Sequence, residues 1–317
     1  MVADHGEGSA HPRAPLVAAL DVGSNSILML VARRGLDGTL HPMVDTGEIC
    51  QLARGMTQGR LAEASMQRAL ATLSRLLGQG RALGVSQWAA VGTKALRTAT
   101  NAADFLTAAR RLGIDIEVIS GHEEARLGFL GAASGLKQEA QARSATFDIG
   151  GASTELALGQ GQRLDQWQSF DVGAVAAHEA YLAGQDPPLP TAAATLSTHL
   201  HSLFRPLHTL TVTDIVGIGG TVTTLACIAR AIHPFSPSAI DGLCLGAQEI
   251  NPWSQRLLHM NLETRRALPG MPPERAEVLP AGLLILQHLL TALRLDTCRV
   301  STRGLRHGLL QERFASA

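Results

Sequence analysis

The sequence predicts an α/β protein with two similar halves, and two observations support this prediction. Strand-like apolar segments alternate with helix-like segments along the chain, which is typical of mixed or parallel sheets covered by helices. The chain also repeats itself. Asp21 and Asp148 each end an apolar strand that turns through glycine and small hydroxyl residues, and 127 residues separate them. Thr93 and Thr221 each stand between a strand and a helical pattern, and 128 residues separate them. Two landmarks at nearly one offset favour two halves of similar design that face each other.

The elements of the first half follow from apolar spacing and turn residues. Helices are predicted where apolar residues recur every three or four positions. We expect a strand ending at Asp21, a strand over 27–32, a helix over 61–77, a strand before Thr93, a helix over 101–112 and a short strand over 117–119.

The second half repeats this alternation and adds a long apolar helix. We expect a strand ending at Asp148, a strand over 155–158, helices over 191–203, 222–231 and 278–293, strands over 214–216 and 299–301, and a last helix over 304–314. The apolar run over 279–293 falls short of the ~20 residues that cross a bilayer, so it predicts a buried core helix. The last helix is expected to pack back on the first half.

Composition excludes several classes of protein. The chain has 317 residues, enough for two domains, with 27 basic and 27 acidic residues. Zero net charge and an aromatic content of 3% argue against a nucleic-acid-coating or membrane-surface protein. The four cysteines stand far apart without a C-x-x-C pair, and the first fifteen residues lack the apolar run of a signal peptide. We therefore expect a soluble, cytoplasmic protein that binds neither nucleic acid nor membrane.

Three glycine- and hydroxyl-rich turns predict phosphate binding. Glycine lets the backbone approach a phosphate, successive N–H groups point into one concavity, and hydroxyls add donors. A third turn opens a helix, whose N-terminus favours negative charge. The predicted phosphate-binding residues are Gly23, Ser24, Asn25, Ser26, Gly150, Gly151, Ala152, Ser153, Gly220 and Thr221. The chain contains neither a P-loop motif nor an intact G-x-G-x-x-G, so any phosphate is held in another manner.

These turns and three further segments resemble the exopolyphosphatase / guanosine-pentaphosphate phosphohydrolase family over nearly the full chain. The matching stretches are Asp21–Ser26, Gly92–Arg97, Ile119–Arg126, Asp148–Glu155, Gly219–Thr221 and Gly304–Gly308. The resemblance implies two actin-like ATPase (ribonuclease H-like) domains with the active site in the cleft between them. It places the domains at 1–125 plus 303–317 and at 126–302, in the short two-domain form, and implies a homodimer.

One residue departs from the family pattern. Ala152 stands where the second turn usually has a third glycine. If this position requires a positive φ, alanine strains the loop.

Two adjacent glutamates are candidates for the general base of a hydrolase. The pattern Ser120-x-x-Glu123 fits a capping box, in which Glu123 reaches back to its own helix N-terminus. Glu124 is then free to face the cleft, and the resemblance also places the catalytic glutamate there. Arg97 follows the turn at Thr93 and is expected to clamp phosphate oxygens bidentately, a role that the resemblance also implies.

Three carboxylates are candidates for a metal site. Asp148 and Glu155 are the expected Mg²⁺ partners, because magnesium prefers one or two carboxylates with substrate phosphates and waters. Asp21, at the equivalent place in the first half, either orients a hydrated metal or a water, or only caps its own turn.

The leading hypothesis is a Mg²⁺-dependent exopolyphosphatase that hydrolyses the terminal phosphoanhydride of inorganic polyphosphate to orthophosphate. The alternative is the same chemistry on guanosine pentaphosphate (pppGpp), removing the 5′ γ-phosphate. A kinase of the same superfamily and a non-catalytic phosphate-binding regulator are weaker alternatives. The reacting ends of the two substrates are chemically alike, so the motifs do not separate them.

Overall fold

The computed structural model describes residues 14–135 and 143–315 and confirms an α/β fold with two mixed sheets. The predicted polar amino-terminal segment lies, up to residue 13, outside the described residues.

The first sheet is built around the first of the repeated strands. Its strands are Leu16–Val22 (β1), Ser26–Arg34 (β2), Leu40–Ile49 (β3), Val85–Gly92 (β4) and Glu117–Val118 (β5). The order across the sheet is β3-β2-β1-β4-β5. The first three strands are antiparallel, whereas β4 and β5 join β1 in parallel.

The second sheet repeats this design. Its strands are Arg143–Ile149 (β6), Thr154–Gln160 (β7), Arg163–Phe170 (β8), Ile215–Ile218 (β9), Cys244–Gly246 (β10) and Thr297–Val300 (β11). From one edge the order is β8-β7-β6-β9-β11-β10. The first five strands have the order and directions of the first sheet, and β10 adds an antiparallel edge. The predicted duplication is therefore present in the topology.

Helices cover both sheets. The α-helices are Glu63–Leu83 (α1), Lys94–Thr98 (α2), Ala102–Arg111 (α3), Gly121–Ala133 (α4), Ala174–Ala177 (α5), Pro190–Phe204 (α6), Gly220–Arg230 (α7), Pro237–Ile240 (α8), Ala247–His259 (α9), Leu262–Arg266 (α10), Leu279–Leu293 (α11) and Leu305–Phe314 (α12). The long apolar α11 is buried in the core of the second half, as predicted. Of the helices that the structure describes, none combines the length and apolar character that crossing a bilayer requires.

Two helices join the halves. The last helix, α12, packs on the first sheet, where Leu309 and Phe314 share a core with residues of β1 and β2. The α4 helix contacts both halves, because Leu127 belongs to that same core whereas Phe129 packs against Ala157 of β7. The α4 helix therefore lies at the junction of the two sheets, and Glu124 of its first turn faces the space between them.

Candidate active site

Two hairpin turns of the same geometry stand at equivalent places in the two halves. Between β1 and β2, the Gly23 N–H donates to the Ser26 carbonyl at 2.9 Å. Between β6 and β7, the Gly150 N–H donates to the Ser153 carbonyl, also at 2.9 Å. Turns of this kind leave successive backbone N–H groups pointing into a concavity that suits an anion.

The two turns approach each other closely, and one position requires glycine for that reason. A Cβ on Gly151 would lie 3.1 Å from the Cβ of Asn25, tighter than an ordinary side-chain contact. Ala152, by contrast, does not adopt a left-handed backbone conformation. Alanine therefore causes no backbone strain at the position where the family usually has a third glycine.

The third turn leads from β9 into α7. Gly219 has a φ of +80°, and a Cβ there would overlap the Asp148 carboxylate. Glycine is therefore required both by the backbone and by the neighbouring acid. The Thr221 hydroxyl donates to the Ile149 carbonyl at 3.2 Å, which fixes the start of α7 against the second hairpin. The free N–H groups of this helix N-terminus attract negative charge.

The three turns line a single cavity of about 120 Å³ between the two sheets. Every phosphate-binding residue predicted from the sequence contributes to its wall: Gly23, Ser24, Asn25, Ser26, Gly150, Gly151, Ala152, Ser153, Gly220 and Thr221. The four predicted carboxylates Asp21, Glu124, Asp148 and Glu155 line it as well. The cavity thus brings phosphate-type turns and acids from both halves together.

Of the four carboxylates of this cavity, Glu155 is buried and the other three are partly buried, and they are close enough to repel one another. Asp148 and Glu155 stand directly opposite each other on β6 and β7. Burial, and then repulsion from Glu155 and Asp21, raises the pKa of Asp148 to about 7. Burial raises the pKa of Asp21 to about 6 against the attraction of Arg306. Burial also raises the pKa of Glu155, although that carboxylate accepts a hydrogen bond from Ser169 at 2.9 Å.

Glu124 lies in the first turn of α4 and faces this group of acids. Burial raises the pKa of its carboxyl to about 8, and repulsion from Glu155 contributes to the shift. The Arg97 guanidinium opposes that shift, because its Nη1 donates to Glu124 Oε2 at 3.1 Å. A buried carboxylate with a raised pKa is a stronger base than an exposed one.

The adjacent Glu123 points elsewhere, and the capping-box prediction is correct only in part. The Ser120 hydroxyl accepts from the Glu123 backbone N–H at 3.1 Å, as expected of an N-cap. The Glu123 carboxylate does not reach back to the helix N-terminus. It instead binds Arg126 through two hydrogen bonds of 2.9 and 2.6 Å. An arginine one turn along the helix outcompetes the backbone N–H because the charged pair is stronger.

Arg97 has partners that differ from the predicted phosphate clamp. Its Nη1 donates to Glu124 and also to the Ile119 carbonyl at 2.8 Å. Arg97 does not belong to the cavity wall, whereas Glu124 does. In this geometry Arg97 orients the carboxylate of Glu124.

Several residues of the site were missed by the sequence prediction. The guanidinium of the partly buried Arg275 lies against Gly220, where an added Cβ would overlap it. Burial lowers the pKa of Arg275, and attraction to Asp148 opposes that shift. Lys94 donates to the Ala152 carbonyl at 3.2 Å and thereby ties the first half to the second turn. The adjacent Thr93 lines the cavity. Thr93 and Lys94 fall inside a recognised motif, but the loop around Arg275 carries no local signal.

The carboxylates fit a hydrated divalent cation. Asp21 Oδ1 is buried and has no hydrogen-bond partner among the described residues, so its lone pairs are available to a ligand. Within the described part of the chain, no three histidine, cysteine or acidic side chains already form a compact metal cluster. Magnesium does not need one, because waters and phosphate oxygens complete its octahedron beside one or two carboxylates.

Comparison with known proteins places this geometry in a family context. Residues 30–317 match the Ppx/GppA phosphatase family. A guanosine-5′-triphosphate,3′-diphosphate pyrophosphatase of Vibrio vulnificus is 33% identical over 303 residues, which cover 94% of this chain and 59% of that protein. The exopolyphosphatase 2 of Mycobacterium tuberculosis is 32% identical over 314 residues, which cover 92% of this chain and 97% of that protein. The chain thus spans about three fifths of the Vibrio relative.

Solved structures agree with the sequence comparison. A Ppx/GppA family member from Aquifex aeolicus is 30% identical, with a TM-score of 0.79 over 94% of this chain and 97% of that one. An exopolyphosphatase from Cytophaga hutchinsonii is 25% identical, with a TM-score of 0.86 over 94% of this chain and 97% of that one.

Proposed function

The chain belongs to the Ppx/GppA phosphatase family, and we propose that it is an exopolyphosphatase that releases orthophosphate from the end of inorganic polyphosphate. One observation carries this proposal. Three anion-binding turns and the partly buried base Glu124 line one cavity of about 120 Å³. Hydrolysis of a phosphoanhydride needs this combination, because catalysis rests on positioning a water and neutralising charge around one phosphorus.

Glu124 is the proposed general base. Its raised pKa allows it to take a proton from a water in the cavity, and Arg97 keeps its carboxylate oriented. The turns at Gly23, Gly150 and Gly220 donate backbone N–H groups to the oxygens of the terminal phosphate. Arg275 lies beside the N-terminus of α7 and adds positive charge on the same side.

The proposed cofactor is Mg²⁺, held by Asp148 and Glu155 with Asp21 orienting its waters. A magnesium ion at this place neutralises charge on the phosphoryl oxygens when it is bound. It would also relieve the mutual repulsion of the neighbouring carboxylates of Asp148 and Glu155.

Guanosine pentaphosphate is the second candidate substrate. The Vibrio relative, named for pyrophosphatase activity on guanosine-5′-triphosphate,3′-diphosphate, favours it at 33% identity. The exopolyphosphatase 2 of M. tuberculosis favours polyphosphate and is matched over 97% of its length. Since the second match spans that whole protein, we place polyphosphate first.

We further propose a cytoplasmic homodimer. The cytoplasm agrees with four cysteines that form no disulfide. The dimer follows from the family resemblance alone. The proposed domains remain 1–125 plus 303–317 and 126–302.

Orthophosphate release tests the proposed function. We would compare long-chain polyphosphate, pppGpp and ATP at equal concentrations, each with Mg²⁺ and with EDTA. The expected result is Mg²⁺-dependent release that is fastest from polyphosphate. Faster release from pppGpp would establish the second candidate, and release from none of the three would overturn the hydrolase proposal.

A further inference from the structure

An ion pair between the two halves lies beside the cavity, although neither of its residues lines the cavity wall. Arg54 follows β3 in the first half, and its Nη2 lies 3.5 Å from Oε2 of Glu277 in the second half. Neither residue belongs to the predicted site. Glu277 directly precedes Val278, which lines the cavity, and this contact therefore sits at the cavity's edge.

The segment that carries Arg54 is fixed to the first phosphate-type turn. The backbone N–H groups of Cys50 and Gln51 both donate to the Asn25 carbonyl at 2.9 Å, and the Ala53 N–H donates to the Ser24 carbonyl at 2.8 Å. Arg54 is therefore held at a constant place relative to the turn that would bind the terminal phosphate.

The contact between Arg54 and Glu277 is weak and easily exchanged. The two charged groups meet at a single distance of 3.5 Å, and their side chains are 49% and 29% exposed. Arg54 also donates from Nη1 to Gln51 Oε1 at 3.1 Å, and Glu277 Oε1 also lies 3.6 Å from His178 Nε2. Such exposed pairs add little stability. A phosphate group offers the guanidinium two parallel charged hydrogen bonds, which are stronger than this single contact.

The other basic side chains near the cavity already have partners inside the protein. Arg97 binds Glu124, and Lys94 forms an ion pair with Asp171. Arg275 is partly buried and attracted to Asp148. When the terminal phosphate of a phosphate chain lies in the cavity, the following phosphates therefore come close to Arg54, whose guanidinium is half-exposed.

We propose that Arg54 binds the phosphates behind the terminal one, and that Glu277 is the ion-pair partner of Arg54 until the substrate binds. This inference rests on the proposed function, because it assumes that a phosphate chain enters this cavity. It assigns the substrate class as a linear polyanion with at least two phosphates beyond the reacting bond. The role of Glu277 is to compete with that polyanion for the guanidinium.

Binding of inorganic tripolyphosphate in the presence of Mg²⁺ tests this inference without turnover. All variants would carry Glu124→Gln, so that calorimetry measures affinity whether or not the protein is a hydrolase. Arg54→Ala is expected to weaken tripolyphosphate binding by about tenfold, the size of one charged hydrogen-bonded contact. Glu277→Gln is expected to tighten it by about threefold, because a weak competing pair is removed. Orthophosphate affinity should stay unchanged in both.

Arg110→Ala and Asp115→Asn are matched controls, since this exposed pair lies at 2.9 Å outside the cavity. If Arg54→Ala and Glu277→Gln both weaken binding, the ion pair instead stabilises the arrangement of the two halves, and the inference is wrong. It is also wrong if neither variant differs from the controls, or if orthophosphate binding falls as much as tripolyphosphate binding. Absence of turnover in the wild-type protein would instead count against the proposed function alone.

Discussion

The two repeated hairpins have one backbone design and two different chemistries. Asp21 and Asp148 occupy the same place, one residue before the end of β1 and of β6. Opposite Asp21 stands Leu28, whereas opposite Asp148 stands Glu155. The second hairpin therefore carries a pair of acids where the first carries one acid and one apolar side chain.

The charges around these acids differ accordingly. The Arg306 guanidinium attracts Asp21, and it is itself held by Asp45 through hydrogen bonds of 2.7 and 2.8 Å. Asp148 has Glu155 as a neighbour, and its pKa rises to about 7 rather than about 6. One duplicated scaffold thus provides a single acid in one half and a pair of neighbouring acids, the proposed cation site, in the other.

The turns that follow β4 and β9 show a second difference. The helix after Thr93 has five residues and contributes the side chains of Lys94 and Arg97. The helix α7 after Gly219 has eleven residues and contributes its backbone N–H groups and dipole. Positive charge comes from side chains alone in the first half, and from a helix N-terminus together with Arg275 in the second.

The largest expected effect falls on neither hairpin but on α4 between them. Glu124→Gln should lower turnover at least a hundredfold, the usual scale for loss of a general base. Folding should be intact, because glutamine keeps the shape of the side chain and its amide oxygen can still accept the hydrogen bond from Arg97. Phosphate release and thermal unfolding of the purified variant check both expectations.

The matched control is Glu123→Gln, which alters the adjacent carboxylate held by Arg126. This variant should keep most of its activity. Equal losses in the two variants would show that α4 contributes only through its fold.

A pH series without metal sharpens the contrast between Asp21 and Asp148. In the unfolded chain both carboxyls titrate near pH 4, at about the model-peptide values. In the folded protein the pKa of Asp21 is about 6 and that of Asp148 about 7. Between the unfolded and the folded pKa of each group, the folded state therefore binds more protons than the unfolded state. The free energy of unfolding therefore falls as the pH rises from about 4 toward 8.

We expect the Tm in EDTA to fall by several degrees between pH 5 and pH 8, and Mg²⁺ to raise it most at pH 8. Asp148→Asn should flatten this slope more than Asp21→Asn, because the pKa of Asp148 is raised further. A Tm in EDTA that increases over this range would contradict the assignment of buried, mutually repelling acids.

The smallest expected effect concerns the third turn. Gly219→Ala should cost about 1–3 kcal/mol of stability, because a φ of +80° with a ψ of −177° is a backbone conformation that essentially only glycine adopts, and it should also displace Asp148. Gly242→Ala is the matched control, because its φ of +82° is nearly the same and an added Cβ there would meet nothing within 4 Å.

Chemical denaturation should show a smaller loss for Gly242→Ala, and the Mg²⁺ requirement should change only in Gly219→Ala. If both variants lose equal stability and neither changes the Mg²⁺ requirement, Gly219 matters for its backbone alone.

Most central elements could be predicted from local pattern, whereas the outer strands β3 and β8, the short edge strand β10 and the helix α9 were missed. The predicted helix over 278–293 is observed as Leu279–Leu293, and the strand over 117–119 as Glu117–Val118. The strands β3 and β8 were missed because they lie at the outer side of their hairpins and expose many polar residues. Without apolar alternation, an edge strand is recognised only from its partner.

The sequence by itself determined the duplication and the three turns, and it predicted that Glu124 rather than Glu123 faces the cavity, where the structure places it. Local hydrogen bonding and the strand-turn pattern are encoded within a few residues, so these features can be read without coordinates. Only the tertiary structure decided that Arg97 orients Glu124, that Arg275 lies against Gly220 and that Arg54 meets Glu277. These contacts join residues far apart in the chain, and their pairing depends on how the two sheets face each other rather than on local sequence.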